Sequence, residues 1–143
     1  MRIVADILRT KGDAIHSVQP YATVYEALQL MAEKNIGAVL VMEYDCVIGV
    51  LSERDYARKV VLQGKSSLHT KVSEIMSDRV YYVRPEHTLD ECMALMTEMR
   101  IRHLPVFDQG MLVGVISIGD VVKQIISDQY MMIEQLESYI LGQ

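Results

Sequence analysis

The sequence predicts an α+β fold: two β-α-β-β-α units packed sheet to sheet about a pseudo-twofold axis, followed by a C-terminal helix. Three observations predict it. The chain repeats itself at an offset of 65 residues. Each copy places one amphipathic segment of helical period among apolar runs of strand length. Each copy also carries two helix-start signatures at matching positions.

The repeat is ungapped from 18 to 55, with 13 identities in 38 positions. They include Val18 with Val83, Pro20 with Pro85, Thr23 with Thr88, Glu26 with Glu91, Ile36 with Ile101, Gly49 with Gly114, Ser52 with Ser117 and Asp55 with Asp120. Ordinary residue frequencies would give only about two or three. A shorter prelude, "VADIL" from Val4 and "VSEIM" from Val72, repeats at a different offset.

The elements follow in order. "AIHSV" and "VYYV" read as short strands, each ended by a proline. "TVYEALQLMAEKN" and "TLDECMALMTEMR" read as helices, with Val24, Ala27, Leu28 and Met31, or Leu89, Cys92, Met93 and Met96, on one face. Thr23 with Glu26, and Thr88 with Glu91, form capping boxes at their starts. "IGAVLVM" and "IRHLPVF" read as strands, "EYDC" and "DQGM" as turns, and "VIGVLS" and "LVGVIS" as strands leading into a second helix opened by Ser-x-x-Asp. The two strands flanking a helix should pair in parallel, and the last two should form a hairpin. One unit cannot cover its own sheet, but two can cover each other. The repeats are placed at 1–66 and 67–126, with a helical extension at 127–143.

Composition narrows the function. Half of the residues are apolar, enough for a real core, and the net charge is −5. An acidic balance disfavours nucleic acid as a partner. No 18-residue apolar run is present, so no membrane span is expected, and the N-terminus has no continuous signal-peptide core. A cytoplasmic protein is expected. Cys46 and Cys92 match no metal or redox spacing and read as small buried residues. Ten methionines and no tryptophan suggest an adaptable aliphatic core. His69 and His87 read as surface residues. There is no nucleophile–base set, no cluster of metal ligands and no phosphate-loop lysine, so neither an enzyme nor a catalytic cofactor is expected.

The stretches "GVLSERD" (Gly49–Asp55) and "GVISIGD" (Gly114–Asp120) are where ligand chemistry could reside. A fixed carboxylate, Asp55 or Asp120, can accept both hydroxyls of a ribose. Ser52 and Ser117 stand at helix N-termini, where N–H groups and the dipole favour a phosphate. Gly49 and Gly114 would let a ligand approach the backbone. Ser-x-x-Asp is equally a capping box in form, needing no ligand, and the two roles can coexist.

The ordered pair "NIGAVLVM…VIGVLSERD" and "RIRHLPVF…LVGVISIGD" resembles the CBS domain, and the chain resembles a tandem CBS pair, or Bateman module, from Val4 to about Ile126. With no effector domain attached, it is similar to the stand-alone members. The resemblance implies a sensor of adenosyl ligands such as AMP, ADP, ATP, NAD or S-adenosylmethionine, acting on an effector protein and commonly as a homodimer. It also implies two sites shared between copies. One would combine Ser117 and Asp120 with Ile36, Gly37 and Ala38, completed near Ile15 and His16. The other would combine Ser52 and Asp55 with Ile101, Arg102 and His103, and with residues near Tyr81. The small Gly37 and Ala38 leave room for a base, whereas Arg102 and His103 are bulky, so the two sites need not be equivalent. Arg102, His103 and Arg54 could reach phosphates; a solvated strand end, a core histidine and an exposed charge are the plainer readings. The alternative function is a ligand-free docking scaffold with the same fold. Past the repeats, Ile126, Tyr130, Ile133, Leu136 and Ile140 form a helical apolar stripe, read either as folding back on its own domain or as a self-association or partner helix. Gly142 could stop that helix.

Overall fold

The computed structural model describes residues 2–142. Two units divide the chain: Ile15–Tyr81, and the residues up to Ala14 together with those from Tyr82 onward. This division cuts the chain differently from the repeats at 1–66 and 67–126, and the preludes account for it. Helix α1 (Val4–Lys11), the first prelude, packs with the second repeat. The second prelude packs with the first repeat.

In the unit Ile15–Tyr81, strand β1 (Ser17–Val18) leads through Pro20 to helix α2 (Val24–Lys34). Thr23 caps α2 as expected: its hydroxyl accepts from Glu26 N at 3.1 Å, and Glu26 reaches back to Thr23 N. Asn35, in the left-handed conformation at φ 54°, ends the helix. Strands β2 (Ala38–Glu43) and β3 (Cys46–Ser52) form the hairpin, and β1 joins β2 in parallel, giving the order β1-β2-β3. The two-residue turn is Tyr44–Asp45, both with positive φ, which matches the twist of the flanking strands. The register skips Ile48, a bulge just before Gly49. Helix α3 (Glu53–Tyr56) passes into a π-helical turn, Ala57–Val61, and the prelude forms helix α4 (Val72–Ile75).

The other unit repeats this plan. Helix α5 (Leu89–Met99), capped by Thr88 and Glu91, precedes the hairpin of β4 (His103–Asp108) and β5 (Met111–Ser117), with a turn at Gln109–Gly110. The expected strand "VYYV" shrinks to one parallel bridge, Val83 with Val106. Pro105 is the reason. It stands where Leu40 does in the first copy, and Leu40 N donates to His16 O at 3.2 Å; a proline has no N–H to make the corresponding bond. Helix α6 runs unbroken from Ile118 to Leu141, with Gly142 in the left-handed conformation at its end. Of the extension expected at 127–143, the part up to Leu141 is therefore the continuation of the second helix of the repeat, and Gln143 lies outside the described residues.

The prelude contacts are equivalent in both units. Val72 N donates to Ala22 O and Ser73 N to Pro20 O; Val4 N donates to His87 O and Ala5 N to Pro85 O. The cores match as well. Val24, Ala27, Met31, Val39, Val41, Leu51, Val72 and Ile75 are buried together, and Leu89, Cys92, Met96, Leu104, Val106, Ile116, Val4 and Ile7 are their buried counterparts. Each Val, Leu, Ile or Met among them contributes about 1.5–3 kcal/mol through burial. Cys92 is thus buried as expected, but Cys46 is not: it opens β3 beside the turn and is exposed. An edge-of-hairpin position gives it no core to join.

Candidate functional site

Both Ser-x-x-Asp stretches fold as complete capping boxes. Ser117 Oγ accepts from Asp120 N at 3.2 Å, and Ser117 N donates to Asp120 Oδ2 at 2.8 Å. Ser52 Oγ accepts from Asp55 N at 3.1 Å, and Ser52 N donates to Asp55 Oδ2 at 3.0 Å. Two of the helix-start N–H groups in each copy are therefore engaged, since Ile118 N also donates to Arg102 O and Glu53 N to Gly37 O. The cap holds each carboxylate in one half-buried position.

A lysine meets each carboxylate. Lys11, at the end of α1, donates from Nζ to Asp120 Oδ2 at 2.6 Å and to Val115 O at 2.9 Å. Lys59 lies 3.3 Å from Asp55 Oδ1. Burial works to raise the Asp120 carboxyl, but Lys11 and the donors of Ser117 outweigh it and hold it below the ordinary 3.8. His103 pairs with Ser117 across the β4–β5 ladder. Its burial, with Lys11 and Arg102 nearby, pushes its imidazole below the usual 6.5 against the opposing pull of Asp120.

The expected residues are placed as follows. Ser117, Asp120, Ile101, Arg102 and His103 belong to one unit, where Ser117, Asp120 and His103 gather around Lys11. Ile15, His16, Ile36, Gly37, Ala38, Ser52, Arg54, Asp55 and Tyr81 belong to the other. There Gly37 O holds the start of α3, and Ala38 pairs with Ser52 in the sheet. Ile15, His16, Ile36 and Tyr81 are half-buried, while Arg54 and Arg102 are exposed. His69 is exposed as expected, but His87 is half-buried and accepts from Arg84 N at 2.8 Å, bracing the turn before α5.

Gly49 and Gly114 have a different reason from the one expected. A Cβ on Gly49 would meet Met76 Sδ at 2.6 Å and Ser77 O at 2.9 Å; one on Gly114 would meet Leu8 Cδ2 at 2.7 Å. Leu8 and Met76 occupy the same place in the two preludes. The glycines make room for the prelude, and ligand approach is not needed to explain them.

Lys11 and Lys59 were not among the sequence candidates. The Asp55-to-Lys59 spacing, i to i+4 on a helix, is a readable signal. Nothing local marks Lys11, which meets Asp120 from 109 positions away. Among the described residues no group of three or more His, Cys, Asp or Glu could hold a metal ion, and no helix is long and apolar enough to cross a membrane.

A family model of the CBS domain matches residues 4–62 and 72–127. The chain belongs to the CBS domain family. The two matches in series make it a tandem CBS pair. This CBS pair is 36% identical over 148 residues to the CBS domain-containing protein CBSX3, mitochondrial, of Arabidopsis thaliana, covering 97% of the present chain and 72% of that one. It is 56% identical, with a TM-score of 0.87, to the structure of a candidate signal-transduction protein with CBS domains from Burkholderia ambifaria MC40-6, covering 90% of this chain and 96% of that one. The CBS domain pair of protein MJ0100, solved in complex with 5′-methylthioadenosine and S-adenosyl-L-methionine, shares the fold at a TM-score of 0.79 and 21% identity, with 90% of this chain and 98% of that one covered.

Proposed function

We propose that this CBS pair is a regulatory module that binds an adenosyl ligand at its Ser-x-x-Asp turns and thereby modulates an effector protein. The observation that carries the reading is the setting of Asp120. Its carboxylate is charged, half-buried and held in place, with Lys11 Nζ and Ser117 N both donating to Oδ2. A carboxylate has accepting capacity beyond these two bonds, and a preorganised acceptor loses little entropy on binding a ribose. Lys11 and Arg102 add positive charge suited to a phosphate. The adenosyl compounds held by the MJ0100 pair support the ligand class for this fold. AMP, ADP, ATP, NAD and S-adenosylmethionine are the candidates.

The module works by binding, without chemistry of its own. A ligand shifts the population of two arrangements only through unequal affinity for them. Two unpaired cysteines fit a reducing compartment, and the cytoplasm is the one proposed. The completed caps favour a second reading, a docking scaffold, because they explain both serines and both aspartates with no ligand at all.

Calorimetric titration of nucleotide-stripped protein with AMP, ATP, NAD and S-adenosylmethionine tests the proposal. Micromolar binding by one of them, weakened by Asp120→Asn, is the expected result. The asparagine keeps an oxygen for Ser117 N but loses the charge. The absence of heat and of thermal stabilisation with all four would leave the scaffold reading.

A further inference from the structure

Every residue from Gln129 to Leu141 is exposed, although the segment is an unbroken part of α6. Its apolar stripe is open to solvent: Tyr130 is 66% exposed, Ile133 51%, Leu136 55% and Ile140 77%. The fold-back expected as one reading of this stripe does not occur. Helices of this length are marginal in water unless an apolar face is covered, and an exposed contiguous stripe marks an interaction surface.

The spacing says what covers it. Ile126, Ile133 and Ile140 recur every seven residues; Val122 and Leu136 fall four places before Ile126 and three after Ile133, and Gln129 is the one polar residue in that second row. That is the seam of a two-helix coiled coil. We propose that this seam pairs, antiparallel, with the same seam of a second copy of the chain. The charges decide both partner and direction. Lys123 and Glu137 flank the stripe at the same heptad position, one on each side of Tyr130. In a twofold antiparallel pair, Lys123 faces the partner's Glu137 and Ile126 faces the partner's Leu136, and each contact occurs twice. A parallel pair would set Glu137 against the partner's Met132 and Lys123 against the partner's Ile118. No Lys or Arg follows Lys123, whereas Asp128, Glu134 and Glu137 do, so an anionic lipid surface is a poor occupant.

Sedimentation of the full chain tests the pairing. The wild type should have the mass of two chains. Ile133→Asp, on an exposed helix face, should raise the dissociation constant about tenfold or more while leaving thermal unfolding of the units in place. Lys123→Glu should weaken the pair, and adding Glu137→Lys should restore it. Direction is read by a short bismaleimide in a Cys46→Ser background. Tyr130→Cys should cross-link, and Ile140→Cys should not, because its two copies lie roughly 27 Å apart in an antiparallel pair. A single-chain mass for the wild type, with or without capture by phosphatidylglycerol vesicles, overturns the proposal. So does a two-chain mass that Ile133→Asp leaves intact, or cross-linking through Ile140→Cys alone.

Discussion

Leu8 lies directly over Gly114: a Cβ on that glycine would come within 2.7 Å of Leu8 Cδ2. Met76 and Gly49 stand in the same relation in the other unit. A helix from one end of the repeat thus presses on a strand at the other, and each strand yields the space by having no side chain there.

Gly114→Ala should destabilise the protein by about 1–3 kcal/mol, the usual cost of overpacking. Gly49→Ala should cost more. Its Cβ meets the backbone oxygen of Ser77 as well as the flexible end of Met76, and the backbone oxygen cannot swing aside. Urea denaturation reads both. The double variant Gly114→Ala with Leu8→Ala should lose less than the sum of its singles, and simple additivity would show that Leu8 is not what Gly114 makes room for.

Ser117→Ala and Ser52→Ala should each cost about 1 kcal/mol through loss of a helix cap. The same two variants, measured for ligand binding, separate the roles of the serine. A stability loss without a binding loss confines it to capping.

The Asp120 carboxyl lies below its ordinary 3.8 in the folded state. The unfolded chain therefore binds the proton first as pH falls. The stability from Asp120 is fully present above the unfolded value and is lost as pH drops below about 3.8 toward the folded one. Asp120→Asn should be less stable than wild type near neutrality, and the gap should close in acid. A gap that stays constant with pH would show that Lys11 adds nothing electrostatic.

His103 works in the opposite range. Its imidazole is held below 6.5 by burial and by Lys11 and Arg102, so protonation favours the unfolded chain. Stability should fall as pH drops below about 6.5, and His103→Gln should flatten that limb of the urea-midpoint profile. Unchanged pH dependence in the variant would assign the slope to other groups.

The two thiols should differ sharply. Cys92 is buried and its thiol is pushed up to about 11 by burial and by Glu91, whereas Cys46 is exposed. A thiol reagent should label one group per native chain, and Cys46→Ser should abolish that labelling. Labelling of Cys92 at the same rate would reveal local opening of α5.

What the sequence determined by itself was local. Thr23 with Glu26 and Ser117 with Asp120 specify helix starts, because a cap is made among residues three apart. The turn stretches "EYDC" and "DQGM" and the apolar runs of strand length likewise placed both hairpins and the parallel β1–β2 pairing. Only the tertiary structure decided which prelude packs on which sheet, because Val4 and Val72 make interchangeable contacts and no local pattern chooses between them. That choice created the need for Gly49 and Gly114 and delivered Lys11 to Asp120. It is also why a capping motif legible from three residues became a charged, half-buried acceptor only when a lysine 109 positions away closed over it.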